Sequence, residues 1–112
     1  MLCGFVPPRL ERRTAVVRVS DAGQLYSTIN TIDCLGWPDP ETRQAAGLGA
    51  WSGWSPKNGD VGVPIGRSIH CFQSDVTVVL VRFGSYLAPL GTRGLVFERG
   101  RVDDLPLFTK SP

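Results

Sequence analysis

The sequence predicts an all-β domain, and three observations carry that prediction. Thirteen glycines and nine prolines punctuate a chain of 112 residues, which leaves little room for long helices. Between them lie short runs rich in β-branched and aromatic residues, at spacings of about 8–12 residues. The longest apolar run, Val76–Phe83 (V-T-V-V-L-V-R-F), is largely apolar at both sets of alternate positions. That is the mark of a strand covered on both sides.

Length and composition bound the rest. A chain of 112 residues makes one domain and can bury enough surface for a core without staples. Residues 1–13 read as a flexible arm, because Pro7-Pro8 prevents helix and Arg9, Glu11, Arg12 and Arg13 are solvated. Residues 14–98 form the domain, and 99–112 form a half-polar tail that Leu105, Leu107 and Phe108 can dock. The net charge is +2, from 12 basic and 10 acidic residues, a weaker bias than dedicated nucleic-acid binders carry. Three cysteines without a C-x-x-C pair point to a reducing cytoplasm. No apolar run approaches the length of a membrane span.

In order along the chain, Thr14–Val19 is the first strand, rich in β-branched residues. A turn at Ser20-Asp21-Ala22-Gly23 leads to a second strand over Gln24–Ile32, and the two read as an opening hairpin. Asp39 as N-cap, Pro40 at the first helical position and Gly47 at the stop predict the one helix, over Pro40–Ala46. An irregular connection through Trp51 and Trp54 ends at the turn dipeptide Asn58-Gly59. In V-G-V-P-I-G, the residues Val61, Val63 and Ile65 share an apolar face, opposite a bare face of Gly62, Pro64 and Gly66. Pro64 cannot donate to a ladder, so this strand is an edge or is bulged, and as an edge it would favour self-pairing. Ile69–Phe72 is a separate short strand, Val76–Phe83 the central one, Tyr86–Leu90 a weak one ending at Pro89, and Leu95–Glu98 the last.

The run N-G-D-V-G-V-P-I-G, followed by V-V-L-V-R-F, resembles the KOW-type and related SH3-like small barrels. The match rests on Gly59, Asp60, Val61, Gly62, Val63, Ile65 and Gly66, then Val79, Val81 and Phe83, and it spans residues 57–98. The fold class it implies is a small SH3-like partly open barrel with one short inserted helix. The alternatives are an α+β roll and a small β-sandwich. Such barrels bind through loops at one end of the sheet and seldom catalyse.

The candidate chemistry divides in the same way. Trp51 and Trp54, with Tyr86 and Trp37, can build an aromatic shelf that stacks bases, sugars, peptides or cations, or they can plug the end of the barrel. Arg67, Arg82, Arg93, Arg99 and Arg101 with Lys57 can form a basic rim or be scattered solvated charges. Arg82 interrupts an apolar face and is expected to pair with Asp60 or Glu98. His70 and Cys71 are neighbours in a strand and point to opposite faces, so with Cys34 and Asp33 they make neither a metal site nor a Cys–His dyad. Asp39 is a cap, and Asp103-Asp104 lies in the tail. No serine sits in a nucleophile elbow, and no phosphate-binding glycine loop occurs.

These readings predict a non-enzymatic binding module with no catalytic residue, metal or cofactor. It recognises a protein partner through Trp51, Trp54, Tyr86, Arg67, Arg82 and Arg93. Two readings compete with it: weak nucleic-acid binding of the KOW type, and a small-ligand or enzymatic site using His70. The protein is expected to be cytoplasmic, not membrane-bound, and monomeric or homodimeric.

Overall fold

A computed structural model describes residues 14–26, 54–70 and 76–108. Five strands form one antiparallel sheet in the order β4-β3-β2-β1-β5. They are β1 (Val16–Val19), β2 (Val61–His70), β3 (Val76–Phe83), β4 (Tyr86–Gly91) and β5 (Leu95–Arg99). Single 3-10 turns lie at Ala22–Gln24, Thr92–Gly94 and Val102–Asp104. The all-β class holds for the described residues. The predicted helix over 40–46 lies outside them, as do the N-terminal arm and residues 27–32.

β2 organises the sheet because it changes partners along its length. Its first residues pair with β1, Val61 opposite Arg18 and Gly62 opposite Val17. From Val63 onward it pairs with β3, through His70 opposite Val76. The register shifts between Pro64 and Gly66. Pro64 therefore sits at a bulge, where a missing N–H costs least. The edge-strand alternative is wrong: β2 is the middle strand of the sheet. Ile69 and His70 belong to this same strand and not to a separate one, while Cys71 and Phe72 lie outside the described residues.

The two faces of β2 are the reverse of what alternation suggests. Gly62, Pro64 and Gly66 are buried, Val63 and Ile65 half-buried, and Val61 is 50% exposed. The cause is close approach. A Cβ on Gly62 would meet Val81 Cγ1 at 2.6 Å and the Arg82 carbonyl oxygen at 2.8 Å. A strand packed this closely against β3 has room on its inner side only for residues without bulk.

The core lies between β1 with β5 and the inner row of β3 with β4. It comprises Val17, Val19, Val79, Val81, Phe83, Ala88, Leu90, Leu95 and Leu105. The other row of β3 and β4, Val78, Leu80, Leu87 and Pro89, is buried as well. β3 is thus covered on both sides over Val78–Val81, as its continuous apolar run requires. β4 runs through Pro89 to Gly91. Pro89 is tolerated because the ladder there uses its carbonyl, which accepts from the Tyr26 N–H at 2.8 Å.

Two further expectations are revised. β1 pairs with β2 on one side and β5 on the other, so no hairpin joins it to the segment that follows. Gln24 closes a 3-10 turn, and Leu25 bridges to Leu90 of β4. The tail docks through its backbone more than through a row of apolar side chains. Arg67 donates its N–H to the Pro106 carbonyl at 2.8 Å and accepts from the Phe108 N–H at 2.7 Å. Leu105 is buried in the core and Phe108 rests on Gly66, whereas Leu107 is exposed.

Candidate functional site

The turn at Lys57–Asp60 fixes how the irregular connection enters the sheet. The Asp60 N–H donates to the Lys57 carbonyl at 3.0 Å, and the Asp60 carboxylate accepts from the Lys57 N–H at 2.8 Å. Gly59, at φ +95°, takes the left-handed position of this turn. The Asn58 carbonyl Oδ1 accepts from the Ala22 N–H at 2.7 Å, tying the turn to the segment after β1. The N-G-D motif is therefore spent on scaffold. It also delivers Trp54, four residues upstream of Asn58, to one end of β3 and β4.

That end is closed by the two-residue hairpin Gly84-Ser85, with Gly84 at φ +64° and Phe83 paired to Tyr86. Directly paired residues share a face, so Phe83 and Tyr86 lie side by side. Trp54 completes the group. Its ring stacks on Tyr86 with centroids 4.6 Å apart and planes 8° from parallel. It also tilts against Phe83 at 5.7 Å and 49°. Phe83 is buried, Trp54 is half-buried against the core, and Tyr86 is 41% exposed. The stack is plug at its root and surface at its tip. Sequence spacing gives no sign of Phe83 as its floor; the pairing that a two-residue hairpin imposes is the signal that leads to it.

The arginines do not converge on this stack. Arg82 is exposed on β3, opposite Val63 and Leu87, on the face away from Phe83. Arg93 is exposed in the 3-10 turn beyond the far end of β4 from Tyr86. The half-buried Arg67 donates its Nε–H to the Leu105 carbonyl at 3.3 Å and serves the tail. Neither expected carboxylate pairs with Arg82: Asp60 binds the Lys57 backbone, and Glu98 belongs to Arg18. In that pair Arg18 Nε–H donates to Glu98 Oε2 at 2.8 Å and Nη2–H to Oε1 at 3.0 Å. The Arg18 hydrogen bond holds the Glu98 carboxyl below its usual range, and the pairing raises the guanidinium in turn. Arg99 and Arg101 are exposed. Trp51, Trp37, Cys34, Cys71 and Asp33 lie outside the described residues. His70 ends β2 opposite Val76. Among the described residues, no three His, Cys, Asp or Glu side chains gather as metal ligands.

On the other side of the hairpin end runs an open groove of about 300 Å³. Val16, Val61, Gly62, Val63, Arg82 and Gly84 line it. Among the described residues no helix is long and apolar enough to cross a membrane. No protein family model matches the chain, and no solved structure matches it.

Proposed function

We propose that this chain is a non-enzymatic binding module, built as a small SH3-like partly open barrel, that recognises a protein partner in the cytoplasm. A single observation carries the reading. Trp54 and Tyr86 form a parallel aromatic stack whose outer member is 41% exposed, on a hairpin fixed by the two-residue turn at Gly84-Ser85. Aromatic side chains held rigid at a surface supply large contact area at low entropic cost, and they anchor protein interfaces. The strand order and the bulged β2, which pairs with β1 at its start and with β3 beyond, support the barrel architecture. The spread of the cations favours a protein partner over nucleic acid. Arg18 is neutralised by Glu98, Arg67 serves the tail, and Arg93 stands at the opposite end of β4 from the stack, so among the described residues no continuous basic stripe accompanies the aromatic surface.

The test is affinity capture from native lysate with the wild-type chain and with Tyr86→Ala, bound proteins being identified by mass spectrometry. Circular dichroism verifies that the variant is folded. Specific partners held by the wild type and lost from the variant support the reading. The same partners held by both would sink it.

A further inference from the structure

The groove beside the hairpin has the composition of a subsite. Its walls are aliphatic, from Val16, Val61 and Val63, with Gly62 and Gly84 completing the lining. Val61 is left 50% exposed although it stands in the middle strand of the sheet. The one charged side chain on the lining is Arg82, and no ion pair among the described residues engages it. A cation placed alone on an apolar wall is complementary to a single anion carried next to an apolar group. A guanidinium pairs with a carboxylate through two parallel hydrogen bonds. A phosphate chain would call for several cations, and the groove supplies one.

Its size and openness select the source of that carboxylate. About 300 Å³ lies at the small end of ligand sites, and a free small molecule needs most of its surface enclosed to bind well. An open groove cannot enclose one. It can take two or three side chains of a chain whose backbone is held elsewhere. We propose that this groove binds an acidic-aliphatic segment of a protein partner, Val61 and Val63 taking its aliphatic side chains and Arg82 its Asp or Glu. The proposal rests on the reading of this protein as a protein-binding module and adds the class of segment that the partner presents.

The experiment is an NMR titration of the labelled full chain with three probes. These are an acetylated, amidated GLELELG peptide, its GLQLQLG counterpart, and octanoate. The expected result is that GLELELG shifts the methyls of Val61 and Val63 and the Arg82 Nε–H. Arg82→Gln should weaken it about tenfold, the scale of one lost charge-assisted hydrogen-bonded contact. The peptide with glutamine should be weakened to the same degree. Val61→Glu, which leaves Arg82 in place, should block binding, because it removes an aliphatic contact and its carboxylate repels the peptide and competes for Arg82. Equal binding of both peptides overturns the proposal, as does unchanged affinity in Arg82→Gln. Octanoate binding as tightly as GLELELG overturns it in favour of a free carboxylate. Tyr86→Ala separates this inference from the aromatic reading, because Tyr86 does not line the groove. Unchanged peptide affinity in that variant supports the groove, and a tenfold loss would place the peptide on the aromatic stack instead.

Discussion

The two sides of the β3–β4 hairpin end meet at β3, through the adjacent residues Phe83 and Arg82, and are finished in different ways. On one side the chain supplies its own cover. Trp54 lies over Tyr86 and Phe83 and joins the core. On the other side Arg82, Val61 and Val63 border a groove that no described side chain fills. Phe83 and Arg82 are adjacent, so strand alternation alone sends one inward and the other outward. On the covered side any partner contacting Tyr86 would touch a ring that Trp54 holds, so recognition there would be coupled to stability. On the open side Val61 and Arg82 are exposed, so substitution there is expected to cost little stability.

Substitutions graded by size can break this contrast. Trp54→Ala removes the cover and should cost the most. Full burial would cost about 3–5 kcal/mol, and half-burial lowers the expectation to about 2–3 kcal/mol. In a domain of this size that lowers Tm by roughly 10–20 °C, readable by calorimetry. Tyr86→Ala should cost about 1–2 kcal/mol, since it loses the stacking contact but less buried area; urea unfolding monitored by circular dichroism measures it. Arg82→Gln and Val61→Glu should each lie within about 0.5 kcal/mol of the wild type. A destabilisation by either as large as that of Trp54→Ala would mean that the groove side is structural too.

The smallest effect belongs to Arg18–Glu98, an exposed pair that borders the groove side, Arg18 standing opposite Val61 in the β1–β2 ladder. The folded state holds Glu98 below its unfolded pKa, so its contribution is fully present above the unfolded value of about 4.3. It is lost as pH falls through the lower folded value. Urea midpoints of the wild type and Glu98→Gln should therefore differ slightly near neutrality and converge in acid. High salt should narrow the same difference.

Much of this arrangement is legible in the chain, and the failures have physical causes. Val76–Phe83 is apolar on both faces and becomes the doubly covered strand. Asn58-Gly59 becomes a turn with Gly59 at positive φ. Pro64 marks the bulge in β2. Alternation misleads at Val61–Gly66, because it assumes that the apolar row faces inward. In a strand packed closely on its neighbours the inner row is chosen for smallness, and glycine and proline take it. The hairpin expected of β1 fails because local sequence cannot show that a strand 40 residues downstream would claim its edge. The stack is half legible: Trp54 and Tyr86 stand out as aromatics in a polar context, but their contact depends on a register that only the fold sets. Arg82 is conspicuous as the one charge in an apolar strand. The partners expected for it fail because Asp60 and Glu98 satisfy nearer groups.

The difference between the two sides of the hairpin is tested most directly by an NMR accessibility measurement with an inert, soluble paramagnetic probe. The structure predicts strong broadening at the Val61 methyls and the Arg82 side chain, intermediate broadening at the Tyr86 ring, and weak broadening at Phe83 and the Trp54 ring protons that face it. Equal broadening at Trp54, Phe83 and Val61 would contradict the account, because the aromatic side would then be as open as the groove.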